Sequence, residues 1–169
     1  MLEAVVIPDV LADERVEEWR RRHPREWWAF RHLDREDEMR GRVLAAILGC
    51  RTNRDPALDD LMRYADALEN RQRAQRAGTA SSPPVDGGRR PFQAQVTRMT
   101  LMRSERCTFY RVDFVTPHGW SGTFDTTNPV VVERISKQRD LRKPVTLIGE
   151  ITRRPYEFLV ELGAHVRIL

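Results

Sequence analysis

Apolar residues recur every third or fourth position up to about residue 76 and every second position after about residue 92. That change of period predicts helices first and strands afterwards. Leu58, Leu61, Ala65 and Leu68 stack on one helix face. Asp55-Pro56 supplies an N-cap and a first-turn proline. Arg71, Arg73 and Arg76 suit the negative end of the dipole, and Gly78 is placed to terminate the helix. A second helix runs from about Asp34 to Leu48, with Met39, Val43 and Ile47 on one stripe, Leu44 and Leu48 beside it, and an acidic first turn. A third covers about Leu11 to Arg22, with Val16 and Trp19 inward. Pro24 starts a short helical piece carrying Trp27, Trp28 and Phe30, and Val5-Val6-Ile7 before Pro8 reads as a short extended segment.

Residues 77–91 are rich in Gly, Ser and Pro and carry no apolar period. Such a stretch buries too little surface to offset its ordering entropy, so it reads as a flexible linker. It divides the chain into a helical domain, 1–76, and a β domain, 92–169. In the second part Phe92 to Met102 and Thr108 to Thr116 read as strands. Pro117-His118-Gly119 is a turn, and Trp120 to Thr126 completes a hairpin. Pro129 to Leu141 is helical, with Val131, Val132 and Ile135 on one side. Val145 to Ile151 and Tyr156 to Leu162 are further strands, and Ala164 to Leu169 is a sixth strand or a bent continuation. The expected β core comprises Val96, Tyr110, Val112, Phe114, Phe124, Ile135, Val145, Leu147, Ile151, Phe158 and Val160.

Three strands, a helix and then further strands, over residues 92–169, resemble the OB-fold, a partly open barrel. Gly149 and Gly163 stand where such a barrel bends. The fold class expected is therefore α+β: an N-terminal helical half followed by a small OB-like antiparallel β-barrel. The two extended pieces after Ile151 also allow a six-stranded barrel or a sandwich. The resemblance implies a ligand surface for single-stranded nucleic acid, oligosaccharide or protein.

Composition adds charge to this picture. The 169 residues include 29 Lys and Arg against 25 Asp and Glu, and only Lys137 and Lys143 are lysines. Residues 1–80 carry a net charge of about −1 and residues 81–169 about +5. The positive half favours a polyanionic partner, and arginine forks suit phosphates and stacked bases. Arginine-rich coding is the structural alternative. No run of 18 apolar residues exists, so no membrane span is expected. The N-terminus lacks the pattern of a secretory leader, and Cys50 and Cys107 are too few for a disulfide framework, so a cytoplasmic location is expected.

Candidate contact residues follow. On the second strand Tyr110, Val112 and Phe114 are the more apolar set and face the core, which leaves Phe109 and Arg111 outward as a stacking and phosphate-binding pair. Trp120, near the turn, either fills the barrel or stays partly exposed. Arg153 and Arg154 before Pro155 are placed in the loop between the fourth and fifth strands, and Arg142 and Lys143 follow the helix. Cations at a barrel rim can track a phosphate backbone, though solvated surface is the plainer reading. Trp27 and Trp28, about 100° apart on a helix, cannot both face one core, and one of them is a candidate protein contact.

Catalytic signatures are missing. The four histidines are scattered, neither cysteine has zinc-like spacing, and no phosphate loop, dinucleotide fingerprint or serine-hydrolase motif occurs. Asp113, Asp125, Glu133 and Glu150 read as exposed polar positions. The expectation is a non-enzymatic nucleic-acid-binding module without metal or cofactor; the rival is an adaptor that docks its barrel or helical half onto a larger assembly.

Overall fold

The computed structural model describes residues 10–49, 56–84, 90–163 and 165–169. Val5 to Ile7, Cys50, Asp55, Gly87-Gly88 and Ala164 lie outside the described residues. The chain forms two compact units, Met1–Ala65 and Asp66–Leu169. The division falls inside the helix α4 (Pro56–Ala77), whereas the composition of 77–91 places the boundary there.

In the first unit a 3₁₀ turn precedes α1 (Glu14–Arg22). Asp13 caps α1 by accepting from the Arg15 N–H at 2.9 Å, and the hydrogen bonds from Arg15 hold its carboxyl below the ordinary value. Helix α2 (Pro24–Arg31) starts at its proline. Helix α3 (Glu38–Leu48) begins four residues later than its acidic run suggests. Asp37 takes the cap, accepting from Met39 N–H at 2.9 Å, and Asp34 closes the preceding turn. Val43 and Ala46 are its buried residues, while Ile47 is half-buried. Val16, Phe30, Leu33, Val43, Leu61 and Tyr64 are buried here. Burial, with Asp37 and Asp34 nearby, raises the Tyr64 hydroxyl above its ordinary value. Trp27 stacks on Phe30 at 5.2 Å and meets Trp19 edge-on at 6.4 Å, while Trp28 turns to His32 at 5.0 Å. The two tryptophans thus join different clusters, as their angular separation requires.

The second unit holds the C-terminal part of α4 and seven strands: β1 (Phe92–Arg103), β2 (Thr108–Val115), β3 (Ser121–Thr126), β4 (Val145–Ile148), β5 (Ile151–Tyr156), β6 (Leu159–Leu162) and β7 (Arg167–Ile168). Helix α5 (Pro129–Asp140), capped by Asn128, lies between β3 and β4. The sheet order is β5-β6-β3-β2-β1-β4-β7. The expected all-antiparallel pattern is corrected at one place: β6 pairs parallel to β3. The expected fourth strand is also broken, into β4 and β5 at Gly149-Glu150. These two strands stand five strand positions apart in the sheet, about 24 Å if it were flat. Ile148 and Ile151 are three residues apart, a reach of about 10 Å. The sheet is therefore curled.

Inside the curl lie Val96, Val112, Phe114, Trp120, Phe124, Leu147, Val160 and Leu162, and α5 contributes Val131 and Ile135. Tyr110 and Phe158, expected in the core, are half-buried. Gly122 is a core position because a Cβ there would stand 2.5 Å from the Phe114 ring. The second part of α4 lies on the outer surface. Asn70 donates to the carbonyls of Thr116 at 3.1 Å and Trp120 at 3.3 Å, and Gly119, at φ +88°, brings the β2–β3 turn against Ala74. After Gly78 the chain stays on this turn. Thr79 Oγ1 donates to the Pro117 carbonyl, Ser81 N–H to the His118 carbonyl at 2.8 Å, and Pro83 is buried. Among the described residues no helix is long and apolar enough to cross a membrane.

Gly122→Ala forces the Phe114 ring to move and should destabilise the protein by about 1–3 kcal/mol, measured by urea unfolding. Asn70→Ala strips the turn carbonyls of a buried donor and should cost about 1–3 kcal/mol in the same measurement. Neutral behaviour in either variant contradicts this account of the core and its outer clamp.

Candidate nucleic-acid interface

The outer face of the sheet is built in rows. Register aligns Arg98, Asp113, Thr123, Glu161 and Arg153 across β1, β2, β3, β6 and β5, and Thr100, Arg111 and Asp125 in a neighbouring row. A bulge at Thr97 sets Arg98 opposite Asp113. The Arg98 guanidinium then stands 2.8 Å from Asp66 of α4 and 3.7 Å from Asp113, which is 3% exposed. Asp113 is thus buried between strand and helix, against the expectation of an exposed polar position.

The same rows decide what the expected contact residues can do. Arg111 forms a two-pronged pair with Asp125, at 2.9 and 3.2 Å, with its guanidinium 6.0 Å from the half-buried Phe109 ring. The outward pair is present, but its charge is matched by a carboxylate. Trp120 is 4% exposed and packs on Phe92 and Phe114 inside the curl, so it is a core residue and not a surface one. Arg153 and Arg154 lie in strand β5, not in a loop. The reason is the break at Gly149-Glu150, which starts a new strand that pairs with β6. Arg153 faces Glu161 at 3.6 Å, and Arg154 donates to the Pro84 carbonyl.

Arg142 and Lys143 remain exposed and outside every ion pair among the described residues. Leu141 caps α5, and the Arg142 and Lys143 N–H groups close on the carbonyls of Arg139 and Gln138 at 2.9 Å each. This closure needs a left-handed residue, and Arg142 takes it at φ +53°, a position where glycine is unstrained. The strain keeps a guanidinium where glycine would leave none.

Two features escaped the sequence reading. Exposed Arg90 precedes β1, and exposed Arg167 lies on β7, with neither in an ion pair among the described residues. Register places both near the Gly149 end of β4, while Arg142 and Lys143 precede its other end. Four cations therefore bracket the β1–β4–β7 edge, an arrangement that only the strand pairing creates. Tyr156 and Phe158 stack at 6.2 Å across the β5–β6 turn; their i, i+2 spacing around a turn was the available signal. Trp27 and Trp28, the expected protein contacts, are half-buried in the first unit. Among the described residues no group of three or more His, Cys, Asp or Glu is placed to hold a metal ion.

Arg142→Gly relieves the left-handed strain, partly offset by glycine's freedom in the unfolded chain, and should raise stability by about 0.5–1 kcal/mol. A lower denaturation midpoint would contradict the strain argument. Comparison with protein-family models, curated proteins and solved structures finds no match.

Proposed function

We propose that the chain is a non-catalytic module that binds single-stranded nucleic acid through an OB-like barrel whose contact edge is β1–β4–β7. The element order of residues 92–168 and the curl of the sheet support the barrel. OB-like domains take ligands on the face of their second and third strands. In this chain that face carries Asp66 and Asn70 of α4 and its own ion pairs. The contact is accordingly assigned to the exposed cations that bracket the β1–β4–β7 edge, which have no carboxylate partner among the described residues. The observation that carries the reading is Arg142-Lys143, held out at a strained turn with Arg90 and Arg167 at the far end of the same edge.

Four phosphate contacts on a single strand give a salt slope of about −3, so affinity should fall about 50-fold between 50 and 200 mM salt. Fluorescence polarisation with labelled oligonucleotides measures this directly. Arg142→Gly with Lys143→Ala should flatten the slope by about 1.4 for two lost contacts, while Arg153→Ala should leave it nearly unchanged. Phe109→Ala, on β2 and outside the assigned edge, should leave both affinity and slope nearly unchanged. No binding of single or double strands at low salt defeats the proposal. The adaptor reading then leads, with the Trp19–Trp27–Phe30 ladder of the first unit as the surface to mutate.

A further inference from the structure

We propose that the groove between the C-terminal part of α4 and the outer face of β1 is a subsite for one nucleobase of the bound strand. This rests on the strand-binding reading and adds to it a place where the base is held.

The groove has a volume of about 460 Å³, within the range of about 300–1,000 Å³ typical of small-ligand clefts. Ala74 and Ala77 of α4, Val115 at the end of β2, and Pro117 and Pro144 give it apolar walls. Such walls suit the faces of a flat ring and offer nothing to a small hydrated ion. Gln93 and Gln95 bring the polarity. They alternate along β1 on its outer face, about 7 Å apart, and both line the groove. Neither side-chain amide makes a hydrogen bond among the described residues, and Gln95 is half-buried. Each amide offers two donors and an acceptor, the complement a base edge requires. Asn70, the third amide on the wall, is committed to the Thr116 and Trp120 carbonyls and serves as a fixed wall.

Charge selects the same occupant. Lys143 directly precedes Pro144, and Arg73 lines the groove with its side chain 64% exposed. Arg73 pairs with Glu69 on the helix surface at 3.2 Å, an exposed contact that phosphate can displace at little cost. A nucleotide within a strand supplies what these groups require together: a flat ring with a polar edge, and phosphates on either side.

The test compares an adenine-bearing single strand with an abasic strand of equal length, which keeps the phosphates and removes the bases. Polarisation titrations use the full chain, the wild type and the Gln93→Leu/Gln95→Leu double variant, with circular dichroism to confirm folding. The wild type should bind the base-bearing strand more than tenfold more tightly. In the variant that ratio should fall about tenfold, with abasic affinity and salt slope unchanged. The side-chain amide signals of Gln93 and Gln95 in the wild type's NMR spectrum should move with the base-bearing strand only. Equal ratios in wild type and variant, or amide signals that do not move, overturn the subsite while strand binding stands. No binding of either strand at low salt overturns both.

Discussion

Two residues join strands that would stand some 24 Å apart in a flat sheet, and this joint at Gly149-Glu150 constrains everything else in the second unit. Because β5 must start beside the end of β4, the sheet curls toward its own concave side. A continuous apolar interior then becomes available to buried residues from five strands and α5. The aromatic set Phe92, Phe114, Trp120 and Phe124 fills it with ring contacts of 5.0–6.2 Å. Such volume on one side of a strand needs a void opposite, and Gly122 provides it beneath Phe114. The parallel pairing of β6 on β3 follows from the same return path, since β6 runs back antiparallel to β5.

The outer face answers a different demand. A strand face clothed in Asp113, Ser121 and Thr123 would ordinarily stay in water, yet all three are buried. Burial of polar groups is tolerated when they are paired, as Asp113 and Ser121 are by Arg98 and Asn70, whereas the Thr123 hydroxyl is buried without a hydrogen-bond partner among the described residues. Arg98, swung into line by the bulge at Thr97, stands between the Asp66 and Asp113 carboxylates. Asn70 serves the β2–β3 turn in the same way. Across neighbouring strands, Asp125 and Glu161 stitch the rows and neutralise Arg111 and Arg153.

Cationic strand residues acquire a second explanation from position. β5 is an edge strand, and edges with free N–H and C=O groups invite unwanted pairing. Arg153, Arg154 and Pro155, with two register shifts along the strand, are the features that discourage it. A pair of arginines that looks like phosphate chemistry in the sequence is thus accounted for by protection of the edge. Arg142 has no such structural reason. It sits where its own backbone conformation is unfavourable, and its charge is unmatched among the described residues.

Local physics was legible in the chain. The proline starts of α2 and α5, the helix stop at Gly78, the turn at Pro117 to Gly119 and the inward set Val112, Phe114 and Phe124 follow from spacing, side-chain chemistry and two-residue alternation. These depend on neighbours within a few positions, which the sequence carries. What tertiary structure alone decided is which residue faces which across long separations. Nothing near Arg111 in the chain announces Asp125, nothing near Arg98 announces Asp66, and nothing near Arg142 announces Arg90 or Arg167 at the same edge. Strand alternation says that a side chain points outward, but whether outward means water, a helix or an opposite charge is set by sheet order. That order was fixed by the return of β4 to β1 and by the short joint that curls the sheet.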